Sequence, residues 1–337
     1  MLITELIRRG ARWHADRTAI LFGDHSLTFR EVDRLSNRIA HWLSGGLGLG
    51  KGSAMALLLD NGLLSVPCDF GCTKAGLTRT PLNGPLSLDE HKRMLEATAT
   101  RVVIYGPTQA ERAAAIKAAM PDLDLFGLGD SEVGPDLLGL IGDASDSDPK
   151  LALEPDDVLL AIFTSGTTGA FKAVQHSQAT YSAVVHNVLT NLIDPKPGEI
   201  MLHAASMIHA SGTFVIPYWI RGGAAAILPG FSPGEYVEAI EGWRADALYL
   251  VLSGVLVTSI VRAAVFSAAP SLGLWPTHWP LPLQVFTPIA LTVWGYLGDA
   301  PPDARERMSP QQAAKVAAQA WRLAGAHARA VGHGAAA

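Results

Sequence analysis

Apolar positions recur along the chain in two rhythms that alternate with one another. Short runs rich in aliphatic and β-branched residues predict buried strands at 18–22, 54–59, 78–82, 101–105, 157–163, 198–203 and 247–252. Between them the spacing turns helical. In 29–43, Val32, Leu35, Ile39 and Leu43 recur on one face, and Thr28 stands where a helix cap is needed. The segments 63–75, 178–192 and 232–243 read as further helices, and Ser87-Leu88-Asp89-Glu90 opens another with a capping-box pattern. Strands alternating with helices build a sheet covered on both faces, so the expected fold class is α/β with mixed or parallel sheets. The stretch 130–156 is rich in Gly, Ser, Asp and Pro without periodicity, and is expected to be a surface connection.

That connection leads into the most informative stretch of the chain. The strand at 157–163 delivers Thr164-Ser165-Gly166-Thr167-Thr168-Gly169, followed by Ala170-Phe171-Lys172. Two glycines three apart open backbone conformations closed to other residues, which lets N–H groups converge on one concavity. Hydroxyls and one lysine surround it. Such a nest offers many donors and a fixed positive charge, as a polyphosphate requires. Composition alone would make this a solvated turn. A Walker loop would place Lys directly after the second of two glycines five apart, which the order here does not match.

The order does resemble the phosphate loop of the adenylate-forming superfamily, which comprises acyl-CoA synthetases, peptide-synthetase adenylation domains and luciferases. That family continues with Pro-Lys-Gly-Val, then a hydroxyl residue and His. Here Phe171-Lys172-Ala173-Val174 and Ser177-Gln178 keep the lysine and replace the Pro, Gly and His. Weaker echoes are Leu27-Thr28-Phe29-Arg30-Glu31-Val32, Thr80-Pro81-Leu82-Asn83 and the turn and strand at 221–229. Ser206-Met207-Ile208-His209-Ala210-Ser211-Gly212 resembles the stretch that puts a His or aromatic ring between nucleotide and acyl group.

The resemblance implies the large amino-terminal domain of an acyl-CoA synthetase over 1–252. It implies ATP held by Thr164, Ser165, Gly166, Thr167, Thr168, Gly169 and Lys172, with Thr168 near Mg²⁺. His209 and Gly212 would line the acid pocket, and coenzyme A would be the co-substrate. Fatty acids are the first expectation for the acid and aryl acids the second. His176 and His203 match nothing functional and are taken as structural.

Beyond Leu252 the resemblance weakens. Phe266-Ser267-Ala268-Ala269-Pro270, Gln284-Val285-Phe286-Thr287-Pro288 and Gly298-Asp299 are faint counterparts of the adenine, Glu-bearing and ribose motifs. The glutamate and the carboxy-terminal lysine of the family have no counterpart, so no catalytic residue is assigned. Residues 253–337 are expected to be an atypical remainder of the domain, and adenylation to be impaired. A non-catalytic nucleotide- or acyl-binding remnant remains as one alternative. The other is a membrane-associated protein, since 281–297 is apolar but carries Pro282 and Pro288.

Composition narrows these readings. A net charge of −5 argues against a nucleic-acid partner, and 337 residues are ample for a large core. Cys68 and Cys72 are read as reduced core residues. The amino terminus lacks the apolar stretch of a secretory signal, so the cytoplasm is expected, with small molecules as partners and no oligomeric state implied.

Overall fold

The structure, a computed structural model, describes residues 1–129, 133–165, 171–208, 210–243, 245 and 247–249. In chain order, α1 (Ile3–Trp13) precedes a hairpin of β1 (Thr18–Phe22) and β2 (His25–Thr28). Then follow α2 (Phe29–His41), β3 (Ala54–Leu58), α3 (Ser65–Lys74), β4 (Thr78–Pro81), α4 (Leu88–Ala97) and β5 (Val102–Tyr105). Next come α5 (Ala110–Ala119), β6 (Asp124–Gly127), α6 (Leu137–Leu140), β7 (Val158–Ser165), β8 (Phe171–Ser177) and α7 (Gln178–Asn191). The described part closes with β9 (Ile200–His203), α8 (Val215–Arg221), β10 (Ala224–Ile227), α9 (Pro233–Trp243) and β11 (Ala247–Tyr249).

The chain divides into two compact units, 1–230 with 245–249, and 231–244 with 250–337. In the second, α9 starts where Tyr236 N–H donates to Ser232 O at 2.8 Å, and the Phe231 and Tyr236 rings lie 5.5 Å apart. All other described elements belong to the first unit.

That unit holds two sheets. One runs β11-β9-β10-β1-β2, all parallel except β2; the other runs β6-β5-β3-β4-β7-β8, all parallel except β8. Parallel strands need crossover helices, and these cover the faces as the alternating rhythm predicts. A shared core joins the two sheets: Ile20 of β1 and Ile227 of β10 cluster with Leu159 and Leu160 of β7, Phe29 of α2 and Phe70 of α3. At its centre the Trp219 ring lies 4.3 Å from Phe29 and 5.0 Å from Phe70, while its Nε1–H donates to Ile7 O at 2.8 Å. The indole thus buries a large apolar area without orphaning its donor.

The helix starts follow the sequence signals. Thr28 and Glu31 form a reciprocal capping box on α2, as Ser87 and Glu90 do on α4. Cys68 and Cys72 are free thiols buried in α3, and burial pushes the Cys68 thiol up to about 12. They are core residues, as the sequence reading had them.

Two expectations need correction. The connection 130–156 is not purely superficial where it is described. Asp136 caps α6, Leu137 and Ile141 enter the core, and Asp148 pairs with Arg8 at 2.7 Å. A short helix with only two buried apolar positions leaves no period to read in the sequence. The second concerns 171–177, which had no element assigned; it forms β8, antiparallel to β7 over the whole length of that strand. Its polar, exposed residues hid it, because an edge strand need not bury either face. The calls on 253–337, including the apolar stretch 281–297, lie outside the described residues.

Candidate functional site

The β7–β8 hairpin carries the phosphate-loop residues. Thr164 pairs with Lys172 and Ser165 with Phe171, so the two strands flank positions 166–170. Gly166, Thr167, Thr168 and Gly169, and His209 further along the chain, lie outside the described residues. Thr164 and Ser165 are the last residues of β7. Lys172 is exposed as the second residue of β8, and its ammonium has no partner among the described residues.

Beside the hairpin, the face of the second sheet is hollow. Leu57 lies on β3 and Leu59 just after it, Arg79 and Pro81 lie on β4, and Leu160 and Ile162 on β7; all six border a cavity of about 320 Å³. Each pair is two residues apart, the period that points side chains to one face of a sheet. Ser65, Val66, Asp69 and Phe70 of α3 and Tyr181 and Val184 of α7 complete its sides, and Met207, Ile208, Gly212 and Thr213 its far wall. Gly212, which the resemblance placed at the wall of an acid pocket, borders this cavity. A Cβ on it would collide with the Met207 carbonyl oxygen, so the close turn of 207–212 demands glycine.

Asn61 fixes one end of the cavity. Its Nδ2 donates to Ala205 O at 2.9 Å and Leu228 O at 3.1 Å, and its Oδ1 accepts from Met207 N–H at 2.9 Å. These segments follow β3, β9 and β10, so one carboxamide ties together the carboxyl ends of strands in both sheets. Ligands of open α/β sheets bind in the crevice outside those ends.

The deep end of the cavity is charged. The Arg79 guanidinium pairs through Nε with Asp69, and its Nη1 donates to Leu159 O at 3.0 Å. Arg79 also stands 5.9 Å from the Tyr181 ring centroid. Burial pushes the Asp69 carboxyl above its usual range, opposed by Arg79. Burial likewise raises Tyr181, whose hydroxyl hydrogen-bonds Thr213. The His176 ring packs edge-on to Tyr181 at 5.7 Å, with Nδ1 buried and without a partner among the described residues. His176 thus borders the cavity, although the sequence gave no reason to place it there.

His203 behaves as the core residue it was taken to be. It is fully buried, its Nδ1 lies 2.8 Å from Ser211 Oγ, and burial lowers it to about 4.

Asp69, Arg79, Tyr181 and Asn61 were not singled out by the sequence. The available signal was a charged residue interrupting an apolar helix, Asp69, and another interrupting a strand, Arg79. Among the described residues no group of three His, Cys, Asp or Glu side chains is placed to hold a metal. Thr168, the residue expected near Mg²⁺, lies outside the described residues. No helix among the described residues is long and apolar enough to cross a membrane.

Two mostly parallel sheets that share a core, with a crevice at the carboxyl ends of their strands, define the α/β class expected from the sequence. The family model for AMP-binding enzymes matches residues 7–269, and the chain belongs to that family. It is 31% identical over 245 residues to a feruloyl-CoA synthase from an Amycolatopsis species, covering 72% of this chain and 47% of that protein. It is 30% identical over 210 residues to a long-chain-fatty-acid–CoA ligase of Mycobacterium tuberculosis, covering 62% and 41%. Its fold is similar to the inhibitor-bound amino-terminal domain of FACL13 from Mycobacterium tuberculosis, with a TM-score of 0.65 and 29% identity over 72% of this chain and 61% of that one. The chain spans about half the length of the curated relatives it matches.

Proposed function

We propose that this chain grips the β- and γ-phosphates of ATP with residues 164–169 and Lys172, and activates a carboxylic acid seated in the 320 Å³ cavity. A carboxylate oxygen attacks the α-phosphorus, the bond to the β-phosphate oxygen breaks, and pyrophosphate leaves. The thiol of coenzyme A then replaces AMP on the acyl carbon and gives up its proton. The observation that carries this reading is the family match over 7–269 together with the exposed Lys172 ammonium at the start of β8, which has no partner among the described residues. Both reacting ends would then meet where the β7 strand ends.

Within that reading, Thr164, Ser165, Gly166, Thr167, Thr168 and Gly169 supply backbone and hydroxyl donors to the phosphates. Mg²⁺, when bound, would neutralise charge building on the α-phosphate. His209 and Gly212 would wall the acid from the nucleotide. Fatty and aryl acids both remain eligible on fold alone.

The decisive assay is pyrophosphate release that depends on an added carboxylate. Its absence across a panel of fatty and aryl acids removes the ligase reading. Lys172→Ala should weaken ATP binding more than AMP binding, because the phosphates it meets depart with pyrophosphate; equal losses in calorimetry refute that role. His209→Ala should change acid preference and spare ATP affinity.

A further inference from the structure

A chain of net charge −5 carries an open cleft of about 820 Å³ whose walls are rich in arginine. It shares no lining residue with the 320 Å³ cavity. Helix α1 supplies Arg8, Arg9 and Arg12, and residues three and four apart fall on one side of a helix. Arg30, in the first turn of α2, also lines it.

Three acids border the same cleft, and each already has its partner. Asp148 meets Arg8 through both oxygens, at 2.7 and 3.1 Å. Asp33 accepts from Lys74 at 2.6 Å and from Asn37 at 3.2 Å. Glu5 accepts from the Leu2 N–H at 2.7 Å as part of the α1 cap. Arg30 is met by Asp16 at 2.7 Å. Two guanidiniums are left over: neither Arg9 nor Arg12 has an anionic partner among the described residues.

The fold accounts for one of them and not for the other. Arg12 lies in the last turn of α1, where a cation complements the helix dipole. Arg9 lies a turn earlier and is half-buried, its Nε–H enclosed without an acceptor among the described residues. A solvated arginine keeps that hydrogen bond, so holding Arg9 in this position costs free energy. Its Cζ sits 4.1 Å from the centre of the Trp13 ring, and stacking on that ring restrains the guanidinium plane. A fork already held in one orientation has less freedom to lose when a ligand arrives.

We propose that Arg9 and Arg12 form a binding site for a phosphate monoester, separate from the site that holds ATP in the proposed reaction. At pH 7 a monoester carries a charge of about −1.5 to −2 and three acceptor oxygens, and two guanidinium forks answer both. A carboxylate or a phosphodiester brings a single charge and leaves one arginine unmet. A longer polyanion would press its further charges against Asp33 and Asp148. The Trp13 ring, 57% exposed, offers apolar surface to the organic part of the ester. That part can belong to a soluble ester or to phosphatidic acid in a bilayer, since the phosphate presented is the same.

The test is calorimetry on the full chain with methyl phosphate and dimethyl phosphate in chloride-free buffer at pH 7. Methyl phosphate should bind at least about tenfold more tightly, the effect of one further charge-assisted hydrogen bond. Arg9→Gln with Arg12→Gln should weaken methyl phosphate binding at least about tenfold. Arg12→Gln alone, an exposed change, gives the same direction should the double variant fail to fold. Lys172→Ala should leave methyl phosphate affinity as it is, which keeps this site distinct from the ATP loop. Flotation with phosphatidylcholine vesicles, with and without phosphatidic acid, separates the two sources. Flotation that needs both phosphatidic acid and the two arginines supports the lipid source; methyl phosphate binding without flotation supports the soluble one. Equal affinity for the two esters would overturn the proposal. So would binding or flotation unchanged by the arginine variants, a loss on Lys172→Ala as large as theirs, or neither binding nor flotation. Pyrophosphate release bears on none of these outcomes, so this site and the ligase reading fail independently.

Discussion

Two buried cations five positions apart, Lys74 at the end of α3 and Arg79 in β4, have opposite fates. The Lys74 ammonium donates to Asp33 Oδ1 at 2.6 Å, Ser36 Oγ at 2.8 Å and Asn37 Oδ1 at 2.7 Å, and no part of its side chain is exposed. Every proton it carries is committed to α2. Arg79 is nearly as buried, but its partner Asp69 borders a cavity with an oxygen that has no partner among the described residues. The first cluster closes on itself and holds two helices together; the second is left incomplete in the direction a ligand would come from. Burial of charge by itself therefore does not mark a site. Unmet hydrogen-bonding capacity facing a hollow does.

Four measurements would break or sharpen this contrast. The largest effect is expected from Lys74→Met, which strands Asp33 and two amide or hydroxyl oxygens and should cost about 3–5 kcal/mol in urea unfolding. Next is His203, which is as buried as Lys74 yet neutral. Its folded value of about 4 lies below the ordinary 6.5, so between those pH values the unfolded chain binds a proton that the folded chain refuses. Stability should be full above pH 6.5 and fall by about 3 kcal/mol as pH drops toward 4, and His203→Gln should flatten that slope. Third, removing the whole pair by Asp69→Leu with Arg79→Met should cost no more than about 1 kcal/mol, in contrast to Lys74→Met. Smallest is Lys172→Ala, an exposed change that should leave the unfolding midpoint within about 0.5 kcal/mol of the native value. A large loss there would mean that Lys172 serves the fold and not an anion.

The sequence revealed the fold more fully than the site, for physical reasons. Strands such as β3, β5 and, up to His203, β9 are apolar because parallel strands are covered on both faces, and their runs were legible with boundaries shifted by a residue or two. The Thr28 cap located α2 and a capping-box pattern α4, because the cap is a local interaction. The edge strand β8 escaped notice because its residues are mostly exposed, and α6 because one turn has no period. Lys172 and Gly212 stood in contiguous motifs, which is why the sequence could single them out. Asp69, Arg79, Tyr181 and Asn61 were not, since their meeting depends on register between β4 and β7 and on segments more than a hundred residues apart. No local pattern encodes such a meeting.

The Asn61 carboxamide has a consequence of its own. It is a keystone: one short polar side chain sets the spacing of three turns that lie far apart in the sequence. A change in any of those turns must accommodate the same fixed triangle of atoms. Exchanging side chains deeper in the hollow therefore disturbs that triangle less than reshaping its rim.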